Sequence, residues 1–182
     1  MNYAEIKQCD IANGTGVRTT LFVSGCRHGC PGCFNAEAWD FAAGRPFTRE
    51  VEDQIIESLK TPYVNGLSIL GGEPLEPENQ EALAPFLERV RKEEPDASIW
   101  LWSGFTWEQL MNESCRAHTK WLMPILQSID VLVDGPFVQT QKELGLRFRG
   151  SANQRIIDVG SSLNANSIVL WQDEAIFSSR SW

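Results

Sequence analysis

Two stretches near the start of the chain, "YAEIKQCD" (3–10) and "VRTTLFVS" (17–24), read as strands joined across the turn-prone "IANGTG". "TREVEDQIIESLK" (48–60) predicts a helix, because Val51, Ile55, Ile56 and Leu59 share one face. "LSIL" (67–70) is a short strand of the buried type and ends in "GGEP". From Glu78 to Glu94, Leu83, Phe86, Leu87 and Val90 recur at helical spacing. Pro85 lies inside that segment and predicts a kink or a late helix start. "ASIWLW" (97–102) predicts a strand. "TWEQL" follows, with Thr106 and Gln109 at capping-box spacing. "DVLV" (130–133), "QRIIDV" (154–159) and "SIVLW" (167–171) complete the expected strands.

Strand, loop and helix thus recur in turn, which implies an α/β fold with a largely parallel sheet. No repeat or Gly/Ser linker divides the chain, so residues 1–182 are expected to form a single domain. The unusual sequences all follow strands: a cysteine-rich loop, "GGEP", "SGF" and "DGPF". Parallel α/β folds bind ligands at the C-terminal ends of their strands, so these four loops are expected to meet on one rim.

Composition narrows the function classes. Sixteen basic and twenty-four acidic side chains leave a net charge of −8. That balance argues against general binding of a nucleic-acid backbone. No apolar run approaches the length needed to span a bilayer, and no secretory signal is visible. The expectation is a cytoplasmic protein without a membrane partner. Five cysteines, three of them clustered, do not form a disulfide framework. Clustered thiols in a reducing compartment point first to metal.

The cluster is "CRHGCPGC", with Cys26, Cys30 and Cys33 spaced C-x3-C-x2-C. A closed zinc site needs four protein ligands. His28 could be the fourth only by wrapping one ion very tightly between Cys26 and Cys30. A four-cysteine electron-transfer cluster would have to recruit Cys9 or Cys115. Neither has motif context, and both read as small buried residues. Three thiolates on an iron–sulfur cluster would leave one iron open, as a catalytic metal site does. Gly25, Gly29 and Gly32 would let the backbone wrap closely around such a group.

C-x3-C-x2-C after an early strand resembles the signature of the radical S-adenosylmethionine superfamily. "GCRHGCPGCFN", "GGEP" (71–74), "WSGFTWEQL" (102–110), "IDVLVDGPF" (129–137) and "LRFRGSANQRIIDV" (146–159) together resemble its anaerobic ribonucleoside-triphosphate reductase activases. The resemblance implies a partial (β/α) barrel with a curved, largely parallel sheet, a 4Fe-4S cluster and S-adenosylmethionine as cofactors. It also implies reductive cleavage to a 5′-deoxyadenosyl radical. The implied partners are the large anaerobic reductase subunit, whose glycine receives the radical, and a flavodoxin-like one-electron donor. The alternatives are the same chemistry on another target, such as a formate lyase or a small molecule, and a non-enzymatic metal or electron-transfer module.

Within that resemblance Cys26, Cys30 and Cys33 are the cluster ligands. Gly71, Gly72 and Glu73 meet the methionine amino group, for which carbonyls and a carboxylate are suitable acceptors. Ser103 is expected at the ribose or carboxylate. Asp134 is expected near the cofactor cation or a metal ion, or as a cap on the following segment. Many superfamily members carry an aromatic before the third cysteine. Here Gly32 stands there and Phe34 follows, as in the activases, so Phe34 joins the cofactor candidates with Asn153. Arg155, in the same motif as Asn153, could contact cofactor or partner. His28 is expected to sit near the cluster without binding it. The tryptophans are expected to pack in the core or at its rim. No acid–base pair is nominated.

Overall fold

A computed structural model describes residues 1–172. Among these residues, seven strands form one open sheet in the order β3-β1-β2-β4-β5-β6-β7. They are β1 (Asn2–Asp10), β2 (Val17–Val23), β3 (Arg45–Pro46), β4 (Val64–Gly71), β5 (Ser98–Trp102), β6 (Val131–Asp134) and β7 (Arg155–Asp158). Strands β2, β4, β5 and β6 are parallel. β1, β3 and β7 pair antiparallel at the flanks. The α/β expectation therefore holds at the level of a mixed sheet with a parallel centre. The sheet is not closed among the described residues. The short 11–16 turn folds β1 back on β2 as a hairpin. The loop after β6 returns to the rim it left, so β7 must run back along β6.

Alternation along the central strands divides the molecule into two layers. Leu21, Val23, Leu67, Ile69, Ile99, Leu101 and Leu132 face one way and join a single apolar core. That core is covered by α1 (Arg49–Leu59), α2 (Pro77–Glu93) and α4 (Leu122–Ser128). α3 (Trp107–Leu110) begins on the expected capping box, with Thr106 and Gln109 both engaged. On the opposite face Trp100, Val131 and Val133 pack with Trp102, Phe148, Ile156 and Trp171. Arg18 is also fully buried on this face. Its guanidinium donates to Ser68 Oγ (2.6 Å), Ser98 Oγ (2.8 Å), and the carbonyls of Thr15, Leu67 and Ser98. The Trp100 ring lies 5.7 Å from it.

Several local expectations change. α2 runs through Pro85 and starts earlier, with Pro77 in its first turn. Pro85 lies on the solvent side with Glu81, so water can satisfy the carbonyl that proline leaves without a donor. "SIVLW" does not form a strand; among the described residues it makes one isolated bridge, Leu170 to Ile157. Val159, expected at a strand end, opens α5 (Val159–Ala165). Its start is fixed by Asp158, whose side chain accepts from Ser161 N. No described helix is long and apolar enough to cross a membrane.

Candidate active site

The four parallel strands end on one rim, and the loops that follow them meet there. Val23 leads into the cysteine loop, which is pinned by Gly25 N to Ala38 O (2.8 Å) and Cys26 N to Trp39 O (3.0 Å). Gly71 ends β4 and Gly72 follows it. A side chain at Gly72 would bring a Cβ within 2.6 Å of Gly25 O, so glycine lets the two loops touch. Together the loops enclose a pocket of about 200 Å³. Its walls include Cys26, Cys30, Cys33, His28, Phe34, Gly71, Gly72, Glu73, Ser103 and Phe137. Most of the candidates from separate loops are thus brought together. Phe34 sits at the mouth, 73% exposed, with its ring 5.9 Å from Phe137 and under the Lys142 ammonium.

The three cysteines are free thiols. Burial pushes Cys26 up to about 11, against the backbone amides of His28 and Gly29 that favour its thiolate. Burial also raises Cys30, opposed by the Phe137 amide across the pocket. Asn35 N donates to Cys33 Sγ at 3.4 Å. Backbone N–H groups therefore face the sulfurs from both sides. Cys9 departs from the buried expectation: it is exposed at a left-handed position (φ 59°), where β1 shifts register against β2. Cys115 is half-buried and packs against the core.

Two buried carboxylates organise the rim. Glu73 is 1% exposed. It accepts from Leu75 N (2.8 Å), Ser103 Oγ (2.9 Å), Gly104 N (2.6 Å) and His28 Nε2 (3.0 Å). These four protein donors hold the Glu73 carboxylate at the pocket wall, beside Gly71 and Gly72. Ser103 is likewise turned to Glu73 while it accepts from Phe105 N (3.1 Å). Glu76, fully buried, accepts from Arg27 N and from the guanidinium groups of Arg27 and Arg116. Burial would raise its pKa, but Arg116 and Arg27 outweigh that and hold it below the ordinary value. Two of the three residues between the first two cysteines, Arg27 and His28, are therefore tied to the loop after β4. Sequence reasoning missed Glu76 and Arg27. The available signal was a second glutamate three residues past the first, before a helix, in an otherwise apolar stretch.

Asp134 and Asn153 lie behind the pocket, not on its wall. Asp134 accepts from Trp107 N (2.7 Å) and from two nitrogens of Arg155. The cap it forms is on α3, which precedes it in the chain, and not on the following segment as expected: a charge at the buried end of β6 is stabilised by an adjacent guanidinium and a helix start. Arg155 also bonds Glu108. Asn153 Nδ2 donates to Pro136 O (2.8 Å), and Gln154 Nε2 to Gly135 O (2.9 Å). "DGPF" and "RGSANQR" thus lock together and present Phe137 to the cysteines.

These pairs set an acid response. Arg155 lowers Glu108 to about 2, and Arg27 lowers Glu78 to about 2. A carboxylate with a depressed folded pKa adds stability above its unfolded value, about 4.3. That stability is lost as pH falls through the folded value. Thermal melts should therefore decline between about pH 5 and pH 2, and Arg155→Gln should flatten the decline. Each pair is solvent-screened and worth about 1 kcal/mol or less. An Arg155→Gln profile with the wild-type slope would contradict this.

The donor set fits an iron–sulfur cluster better than a single ion. His28 Nε2 is engaged by Glu73, so the tight Cys26–His28–Cys30 wrap is not formed. Among the described residues, no three His, Cys, Asp or Glu side chains are arranged to hold one ion. One tetrahedral ion would need its thiolates about 3.8 Å apart, given metal–sulfur bonds of about 2.3 Å. A multi-iron cluster takes each thiolate on a different iron and spreads them.

The profile of the 4Fe-4S single cluster domain matches residues 12–157. The chain is 45% identical over 158 residues to the anaerobic ribonucleoside-triphosphate reductase-activating protein of Pasteurella multocida, covering 86% of this chain and 96% of that one. It is 46% identical to the protein of the same name in Vibrio cholerae, covering 86% and 97%. For the Escherichia coli K12 protein the identity is 43%, covering 85% and 96%. At that identity over nearly the full length of these relatives, the chain belongs to the family of anaerobic ribonucleoside-triphosphate reductase-activating proteins.

Proposed function

We propose that this chain is a radical S-adenosylmethionine activase that installs the glycyl radical on the large anaerobic ribonucleoside-triphosphate reductase. The observation that carries this reading is the convergence of Cys26, Cys30 and Cys33, three thiols without a fourth, on one pocket at the strand ends. These residues would hold the 4Fe-4S cluster and leave one iron for the cofactor. When bound, the cluster would supply the electron for reductive cleavage of S-adenosylmethionine, the chemistry that would take a hydrogen atom from the partner's glycine Cα.

The chain's own residues position that reaction. Glu73 and Glu76 hold the cysteine loop against the loops after β4 and β5. With the Glu73 carboxylate in use, the methionine ammonium would meet backbone carbonyls of Gly71 and Gly72. Phe34 and Phe137 flank the mouth and would restrict water near the radical. The electron would come from a flavodoxin-like donor.

Anaerobic reconstitution with iron and sulfide tests the reading. The expected result is a 4Fe-4S cluster, release of 5′-deoxyadenosine on reduction, and a glycyl doublet in electron spin resonance after mixing with the reductase. Stoichiometric zinc without cleavage would refute it. A doublet on formate lyase but not on the reductase would move the assignment to the other target.

A further inference from the structure

A second cavity, of about 650 Å³, adjoins the pocket and shares Phe34, Asn35 and Gly71 with it. Its floor is Phe22, with the Lys7 ammonium 5.1 Å above the ring. Glu37 stands on one wall and Ala43 at the outer end. The other wall is β1. Three backbone features shape that wall. The register shift between Tyr3 and Glu5 opposes two residues to Phe22 and takes Ala4 out of the ladder with β2. Strand β3 covers only Asn2 and Tyr3 of β1. Beyond Tyr3, the outer edge of β1 is unpaired among the described residues. Gly44, at φ 74°, lies so close to Tyr3 O that a side chain there would collide with it. The end of the trough is thereby kept low.

An unpaired strand edge presents a row of N–H and C=O groups, which is the complement of another polypeptide backbone. A small cofactor needs no such row. We propose that this trough is the docking groove for the reductase: an extended segment of the partner adds along the outer edge of β1 from Ala4. Its path then crosses Phe22 and enters the pocket between Phe34 and Gly71. The inference rests on the proposed function for the identity of the partner, and on the cavity and the open edge for its location. Small residues at Ala4, Ala43 and Gly44 admit backbone at close range. A glycine, lacking a side chain, is the residue that can be carried deepest.

Two variants test this, because either alone could disturb folding. Ala43→Trp fills the outer end, and Glu37→Arg reverses the wall charge. Met123→Trp, on the exposed side of α4, serves as the control. Each reconstituted protein is assayed for binding to the purified reductase by surface plasmon resonance, for glycyl radical yield, and for S-adenosylmethionine cleavage without the reductase. In the groove variants we expect reductase binding weakened about tenfold, the effect of losing about 1.4 kcal/mol. Glycyl radical yield at subsaturating reductase should fall in parallel, with cleavage within about twofold of wild type. Unchanged reductase binding in both folded variants would overturn the groove. So would a loss of cofactor affinity that accounts for the lost radical, since the trough would then belong to S-adenosylmethionine. Wild-type protein that binds the reductase but cleaves nothing would sink the proposed function and leave the binding comparison intact.

Discussion

Replacing Glu73 by alanine is expected to cost about 3–5 kcal/mol and to abolish stable cluster loading. Four donors lose their acceptor at once: Leu75 N, Ser103 Oγ, Gly104 N and the His28 ring. They lie on three different loops, so the loss separates the segments that frame the pocket. Glu73→Gln is the informative companion. Its amide oxygen can still serve two donors, but its NH2 then faces the other pair: Gly104 N–H and the imidazole on one side, or Leu75 N–H and Ser103 Oγ on the other. About half the stability loss should remain. Urea unfolding gives the energies, amide exchange at Gly104 reports the local opening, and iron content reports loading. An alanine variant within 1 kcal/mol of wild type, with normal exchange at Gly104, would show that Glu73 does not hold the rim.

Arg18→Ala should be comparably severe, for a different reason. The side chain is fully enclosed, and among the described residues no carboxylate bonds it directly. Burial lowers its pKa to about 10, so the guanidinium remains charged at neutral pH. It is held by hydroxyl and carbonyl dipoles on β4, β5 and the 11–16 turn. Alanine leaves a cavity under Trp100 and strips these acceptors of their donor. The expected loss is about 3–5 kcal/mol, or roughly 10 °C in Tm for a chain of this size. Lysine offers three donors on a flexible stem instead of five in a fixed fork, and should recover only part. A stable Arg18→Ala variant would mean that water readily fills the space.

What could be read from the residues alone follows the range of the forces involved. The cysteine spacing is local, so the grouping of the three thiols on one pocket was legible. So were the central strands, where apolar runs end abruptly at glycine or aspartate. Glu73 was legible as important but not in its role, because its partners are 45, 31 and 30 residues away. Asp134 was ambiguous for the same reason: only Arg155, on the returning strand, decides where its charge is stabilised. α4 contains Pro124, and its apolar face is recognisable only against α2 and the sheet core. "SIVLW" has strand composition, yet in the described residues its strand-type pairing is limited to a single bridge.

The lock between Gln154 and the Gly135 carbonyl bears on when the site can come into being during synthesis. Cys26 emerges from the ribosome early, but the wall opposite Cys30 is secured by side chains near residue 154. At about 5–20 residues per second, the thiols wait several seconds for that wall. The wait lengthens because the ribosomal tunnel hides the newest residues. During that interval the loop is open to oxidants and stray metals. Loading of the cluster therefore belongs after β7 has docked, and a maturation factor that recognises the finished rim would meet only chains able to hold their cargo.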